Sequence, residues 1–471
     1  MQNILRRFFS VEHLLKGKPV YGELPSTRTM YSNLLKIAYP SVMEMVLMSL
    51  VGMMDTLMVS VLGEEAIAAI GLTGQPRMLM LSIFFALNIG VTAIVARRKG
   101  EERREEANHT LRNAIVLITG LSVVIMGVAI LASRPLMALA GAQADTIDDA
   151  DTYFRILALG IPINALTMCI SAAQRGIGNT RITLYVNVVS NAVNIVLNYL
   201  LIGGNFGFPR LGVAGAAIAS VIGFGVGFVL CIYAVTSKKS AHGFLHIKLH
   251  DNWQLKKEII APVAKVGSNA VFEQAALRIG FFLYARIVAD LGTQAFAAHQ
   301  ICMQFLNITF NFGDGLGVAG TSLVGQMLGQ KRPDLSMVYG KAAQRIALAV
   351  SLTLLSFIIG LRYPLVQMFT DDQQVISLGV GVMIMVAVFQ PFQTSSVVIS
   401  GCLRGAGDTR FVAKVMMICV TLIRPAVSAL AIYVFHLGLL GAWTASLLDM
   451  GIRLASVYIR FSGSKWAAIK L

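Results

Sequence analysis

Carboxylates in apolar surroundings are the first residues of this sequence that promise chemistry. Glu44 and Asp55 both fall inside a long apolar block, where an ionisable side chain is costly unless it is paired or functional. They are eleven residues apart, about three helical turns, so a helix presents both on nearly one face and toward one cavity. Pro40, four residues before Glu44, shares that face and is expected to kink the helix. A plainer reading competes: each carboxylate is neutralised by a basic neighbour and only ties helices together.

Asn187, Asn191, Asn194 and Asn198 follow at spacings of four, three and four, a polar stripe along one helix face. Carboxamide oxygens with a carboxylate and a hydroxyl suit a hard cation that has shed its water, and Ser220 offers the hydroxyl. Asn194, Asn198 and Ser220 with a carboxylate of the first block could thus hold a cation, or the asparagines could simply join neighbouring helices by hydrogen bonds. Asn187 and Asn191 are read as hydrogen-bonding glue between helices. A second group, Glu44, Glu273, Asp314, Arg278 and Arg424, is expected at a substrate cavity or in proton-linked steps. Within it Arg278 and Arg424 are candidates to neutralise Glu273 or Asp314, and Arg286 lies nearby in sequence. Asp449 and Arg453, four apart, read as a structural ion pair. Met43, Met45, Met48, Met53, Met54 and Met58 crowd the first apolar block, mostly as packing or lipid-facing residues, although thioethers also suit a surface that accepts several ligand shapes. His299 and His436 are isolated and read as structural.

The elements that must position these residues are membrane helices. Of 471 residues 56% are hydrophobic and 13% charged, against roughly 25% charged in a soluble domain. Apolar blocks long enough to span lie near 34 to 62, 66 to 96, 110 to 133, 152 to 174, 182 to 203 and 211 to 236, then near 259 to 290, 294 to 327, 341 to 361, 375 to 403, 411 to 436 and 438 to 460. Basic residues outside these blocks gather in the N-terminus, the even-numbered loops and the tail, whereas the odd-numbered loops hold only Arg134, Arg210 and Arg362. That alternation sets both termini in the cytoplasm. It also answers the net charge of +15, which lies in short loops rather than in a patch for nucleic acid. The five cysteines lie inside apolar segments without metal or redox spacing and read as core residues. Ile4, Leu5, Phe8 and Phe9, interrupted by Arg6 and Arg7, make no cleavable signal; with Leu14, Leu15, Lys16 and Lys18 they suggest a short helix on the cytoplasmic surface, the alternative being a disordered tail.

Sliding the chain by 229 residues exposes an internal repeat. Leu62-Gly63, Ala66, Ala68, Ala69 and Gln75 land on Leu291-Gly292, Ala295, Ala297, Ala298 and Gln304; Pro135 and Pro162 land on Pro364 and Pro391. Arg175-Gly176, Gly178 and Thr180-Arg181 land on Arg404-Gly405, Gly407 and Thr409-Arg410, and after a three-residue slip Ala219-Ser220 meets Ala445-Ser446. Glu44 lands on Glu273, but Asp55 lands on Tyr284, so the halves are electrically unequal. Six helices separate equivalent positions, an even number, so the repeats are parallel about an axis along the membrane normal. The expected fold is an all-α membrane protein of twelve transmembrane helices in two six-helix bundles. Its divisions are a cytoplasmic segment 1–33, an N-lobe 34–236, a cytoplasmic linker 237–258, a C-lobe 259–460 and a cytoplasmic tail 461–471.

Over nearly its whole length the sequence resembles the multidrug and toxic compound extrusion (MATE) transporters of the flippase (MOP) superfamily. The likeness rests on Pro40 with Glu44, on Met54-Asp55-Thr56 through Gly63, on Ala297-Ala298-His299-Gln300 after Leu291-Gly292, and on the paired Arg-Gly-x-Gly-x-Thr-Arg segments at Arg175 and Arg404. The resemblance implies export of cationic amphipathic drugs in exchange for Na+ or H+ by alternating access. It further implies that Asp55 is the family's helix 1 aspartate, that Asn194 and Asn198 belong to the N-lobe cation site, that Ser220 replaces a common threonine, and that Glu273 is the helix 7 glutamate of NorM-like members, so that Asp55, Asn194, Asn198 and Ser220 are the expected cation-binding and coupling group, with Asp55, Asn194 and Asn198 as metal ligands if the ion is Na+. Gln393 stands where many such members carry an aspartate, which moves the expected coupling site to the N-lobe.

A lipid-linked precursor flippase of the same superfamily is the alternative, kept open by Arg278, Arg286 and Arg424 as partners for a pyrophosphate. An enzyme is not expected, since no HExxH, GxSxG or paired-Asp motif lies in a span. The expectation is thus a multi-pass protein of the bacterial plasma (inner) membrane, with no cofactor beyond the coupling ion. Its partners are small organic cations and the lipid bilayer, with no nucleic acid and no obligate protein partner.

Overall fold

The computed structural model describes residues 8–15, 17–237, 243–248 and 250–469. Ile4, Leu5, Arg6, Arg7 and Lys16 of the expected surface helix and part of the basic linker lie outside the described residues, as do the side chains of Met53 and Thr56. The described chain is helical, without a strand among the described residues. Lipid explains why: a backbone in hydrocarbon must satisfy its own hydrogen bonds, and a helix does so within one segment.

Among the described residues twelve long segments follow one another. They are α1 (Thr27–Ser60), α2 (Glu64–Gly100), α3 (Arg104–Leu131), the bent α4 (Ile147–Leu159 with Ile161–Gly176), α5 (Thr180–Gly203) and α6 (Gly212–Thr236), then α7 (Lys257–Ala289), α8 (Thr293–Gly329), α9 (Pro333–Gln367), α10 (Gln373–Gly405), α11 (Thr409–Val434) and α12 (Gly438–Ser462). Eight are long and apolar enough to cross a membrane, nine with the bent pair taken as one span. The others are α7, α8 and α12, long helices that carry more polar residues, among them Glu273 and Arg278 in α7, Gln304, Asn307, Asn311 and Asp314 in α8, and Asp449 and Arg453 in α12. Many helices exceed the sequence-based spans: α2 and α8 have 37 residues each, about 55 Å of helix against about 30 Å of hydrocarbon.

Local chemistry explains the interruptions. The segments of α4 meet at 48° at Gly160, and Pro162, in the first turn of the second segment, has no N–H to lose. In α11, π-helical turns Met417–Ile423 and Leu430–Val434 flank Arg424 and Pro425, where the ring removes a ladder donor. The repeated Leu-Gly and Arg-Gly-x-Gly motifs are turn formers. Gly63 and Gly292 have φ of 102° and 98°, and Gly178 and Gly407 have 84° and 87°, left-handed values that a side chain disfavours.

The chain divides into two compact units, and the divisions fall inside α1 and α7 rather than between helices. The N-unit is Met43–Gly267; the C-unit is the chain up to Val42 together with everything from Ser268. In the N-unit, Phe84, Leu111, Ile118 and Ile170 form part of the core. The linker docks there on α3: the His246 and Lys256 N–H groups donate to Asn108 and Asn113 at 2.9 and 2.7 Å, and Asp251 pairs with Arg112 at 2.7 Å. In the C-unit, Leu14, Met30 and Leu34 are buried with Phe461 and Trp466. Its N-terminal segment docks on the start of α9, the equivalent of α3 in the repeat: Lys341 donates to the Leu14 carbonyl at 2.9 Å, Arg332 to that of Glu23 at 3.0 Å, and the Tyr21 N–H to Asp334 at 3.2 Å. All five cysteines are buried.

Candidate functional site

In the N-unit α1 and α5 meet along a polar seam, and their matched spacing builds it. Glu44 and Asp55 are eleven residues apart on α1, and the residues that reach them, Asn187 and Asn198, are eleven apart on α5. Glu44, 2% exposed, accepts from Arg175 Nη1 at 3.2 Å, Thr183 Oγ1 at 2.8 Å and Asn187 Nδ2 at 2.8 Å. Its charge is answered and its oxygens are in use. Asn187 is therefore a Glu44 ligand from α5, an interhelical bond of the kind its position suggested.

Three turns further along, Asp55 is half-buried and accepts from Asn198 Nδ2 at 2.9 Å. The Asn194 carboxamide is best satisfied with its nitrogen toward Asp55 Oδ1 at 3.0 Å and its oxygen accepting from the Ser220 N–H at 3.2 Å and Oγ at 3.3 Å. Asp55, Asn194, Asn198 and Ser220, singled out from the sequence, are thus brought together from α1, α5 and α6. No ion pair involves Asp55 among the described residues, although Arg77 on α2 is within electrostatic reach while lying 5.7 Å from the Phe224 ring centre. Asn198 Oδ1 is buried and has no hydrogen-bond partner. The cluster's carboxylate, amide and hydroxyl oxygens are donors that a proton or a hard cation can use. A cavity of about 650 Å³ elsewhere in the N-unit, lined by Glu65, Gln75, Gln143 and Asp145, touches neither Glu44 nor Asp55.

The C-unit repeats half of this arrangement. Glu273, the counterpart of Glu44, is fully buried and bound by Arg404, the counterpart of Arg175. Thr92 donates to the Ala172 carbonyl at 3.0 Å, and Thr321, its counterpart, donates to that of Gly401 at 2.8 Å. Neither Arg278 nor Arg424 neutralises Glu273, contrary to expectation. Arg424 instead binds Asp449 at 2.5 and 2.9 Å, with its guanidinium 5.0 Å from the Phe281 ring centre, and Arg453 also reaches Asp449, at 3.5 Å. The expected Asp449–Arg453 pair is accordingly the weaker arm of a triad. Asp314 lies within electrostatic reach of Arg404, and Arg278 is half-buried and in no ion pair among the described residues. The other half is not repeated. Tyr284, where Asp55 would stand, is buried at 2% exposure and packs edge-on to His299 with ring centres 5.4 Å apart.

Arg77, Arg175 and Arg404 escaped the sequence reading as charge partners. Arg77 is an ionisable residue inside an apolar block, the signal that drew attention to Glu44. Arg175 belonged to the repeated motif, and its separation of 131 residues from Glu44 recurs between Glu273 and Arg404. That equality could have named both pairs.

Known proteins agree with this architecture. The MatE family model matches residues 40–200 and 270–430, one stretch in each repeat. A probable multidrug resistance protein NorM of Thermotoga maritima is 27% identical over 444 residues, 94% of each chain. An uncharacterized transporter, YisQ of Bacillus subtilis, is 26% identical, covering 92% of this chain and 94% of its own. A solved outward-facing multidrug resistance MATE family transporter of the MOP superfamily superposes with a TM-score of 0.85 at 21% identity, covering 92% of this chain and 96% of that one. A MATE structure in the bent conformation gives 0.85 at 21% identity over 97% and 98% of the two chains. At such identities the superpositions speak for the fold, whereas the family model covers well over half of the sequence on its own. This chain belongs to the MATE family, a family of membrane transporters and not of enzymes.

Proposed function

We propose that the protein is a secondary antiporter of the bacterial plasma membrane that exports cationic, amphipathic drugs or toxic organic compounds in exchange for Na+ or H+ by alternating access. The ion is taken up at Asp55. Relatives support the substrate class: NorM of Thermotoga maritima and MdtK of Edwardsiella ictaluri are described as multidrug resistance proteins, the first as a probable one. The basic even-numbered loops support cytoplasmic termini. One contrast carries the assignment of the coupling residue. Glu44 is saturated by three donors including an arginine, while Asp55 receives only amides and stands beside the unpartnered Asn198 Oδ1. A carboxylate without a fixed cation can exchange one.

Ion entry drives export only if ion and drug favour different conformations or compete for one, because a ligand with equal affinity for both shifts nothing. The membrane potential adds about 2.3 kcal/mol per charge per 100 mV. Efflux of a fluorescent organic cation from everted vesicles, started by a Na+ pulse or separately by a pH gradient, identifies the ion. Asp55→Asn is expected to abolish ion-driven efflux while leaving membrane insertion intact. Undiminished efflux in that variant removes Asp55 from the mechanism.

A further inference from the structure

The N-terminal segment and α9 enclose a group of cations with two hydrogen-bond donors, Arg345 Nη1 and the Tyr31 hydroxyl, that have no acceptor among the described residues. Lys341 and Arg345 are one turn apart on α9, and Lys341 lies within electrostatic reach of both Arg345 and Lys18. Like charges gathered this closely repel unless an anion sits among them. None of the three is in an ion pair among the described residues; Glu12, on the short helix Val11–Leu14, is exposed and in none either. Arg345 lies beneath the Phe8 ring, 4.2 Å from its centre, and its Nη1 is buried with no hydrogen-bond partner. Tyr31, at the start of α1, is within electrostatic reach of Arg345, and its hydroxyl too is buried and unpartnered. A buried donor left unmatched forfeits its hydration without return. Two such donors, one of them on Arg345 itself, with Lys341 and Lys18 nearby define what is missing: oxygen atoms bearing negative charge.

Depth identifies their source. Between Arg345 and Arg362, α9 is free of charged residues from Ile346 to Leu361, a rise of about 24 Å that nearly matches a bilayer's hydrocarbon core. Arg345 therefore stands at one hydrocarbon boundary, where lipid phosphates lie, and on the side where the basic loops cluster. We propose that Arg345, Tyr31, Lys341 and Lys18 form a binding site for the phosphate of a net-anionic phospholipid in that leaflet. Tyr31 and Arg345 Nη1 donate to its oxygens, and Phe8, 36% exposed, lies beside the glycerol and upper acyl chain. A zwitterionic headgroup offers the same phosphate, but its attached cation meets the lysines, so the site discriminates by net charge. Since the N-terminal segment forms one wall, the lipid fastens that segment to α9.

Native mass spectrometry and thermal melting of the full-length protein in detergent test this, with added phosphatidylglycerol, phosphatidylcholine or inorganic phosphate. Phosphatidylglycerol is expected to be retained and to raise the melting midpoint, phosphatidylcholine to do so much less, and inorganic phosphate not at all. Arg345→Gln is expected to lose the retained lipid and the shift. Tyr31→Phe, which deletes a single hydroxyl, is expected to weaken retention about tenfold. Equal retention by the wild type and both variants overturns the site. A shift from inorganic phosphate equal to that from lipid overturns the lipid assignment in favour of a soluble anion, and equal shifts from both lipids overturn the selectivity.

Discussion

At the scale of the residue, two carboxylates on one helix face have been given opposite tasks by their neighbours. Glu44 is locked by Arg175, Thr183 and Asn187, while Asp55 has amide donors and no ion pair among the described residues. Arg175→Ala should leave Glu44 as an uncompensated buried charge and cost about 3–5 kcal/mol, read as a lowered melting midpoint. Restoring it with Glu44→Gln in the double variant should recover much of that loss, whereas no recovery would mean that Arg175 acts through packing. Asn198→Ala should do the reverse: little stability lost, but a weakened ion dependence of efflux. Much of this was legible in the sequence, because a helix repeats its face every few residues and Asp55, Asn194 and Asn198 fall on facing stripes. The pairing of charges was not. Which arginine reaches Glu273 depends on how α7 packs against α10, and one-dimensional spacing carries no such distance until the repeat is used to compare pairs.

At the scale of the element, apolar length found all twelve helices and missed their ends and breaks. Hydropathy falls where helices leave the hydrocarbon, although their hydrogen bonds continue; hence α1 starts at Thr27, ahead of its apolar block. The 48° break in α4 depends on Gly160 and Pro162, which interrupt a helix without making it less apolar. Docking of the linker on α3 was equally silent, because it uses backbone N–H groups. Its charged contact is Asp251, whose carboxyl is held below the ordinary carboxylate range by the Lys248 N–H and by Arg112. A depressed pKa contributes stability that is complete above the unfolded value, about 3.9, and is lost only as pH falls through the lower folded value. Protease sensitivity of the linker should therefore stay constant from neutral pH to about pH 4 and rise only below it. Asp251→Asn should raise it at every pH, and a rise already near pH 6 would place the controlling group elsewhere.

At the scale of the molecule, the covalent repeat and the packed unit are offset from each other. The first turns of α1 and the N-terminal segment precede the first repeat in sequence, yet they are buried with α8, α9, α10 and α12 in the C-unit, where Leu14 and Met30 are wholly enclosed. The linker before the second repeat has the matching place in the N-unit on α3. Because burial and not sequence order decides which helices an entry segment stabilises, Leu14→Ala should cost about 2–5 kcal/mol and express that loss in the C-unit. Hydrogen exchange should accelerate in α8 and α9, while α2 and α3 keep their protection. Ile247→Ala, on the 4%-exposed linker residue of the N-unit core, should give the mirror pattern, with α3 loosened and α9 unchanged. If Leu14→Ala instead loosened the N-unit, the division at Val42 would not describe how the protein holds together.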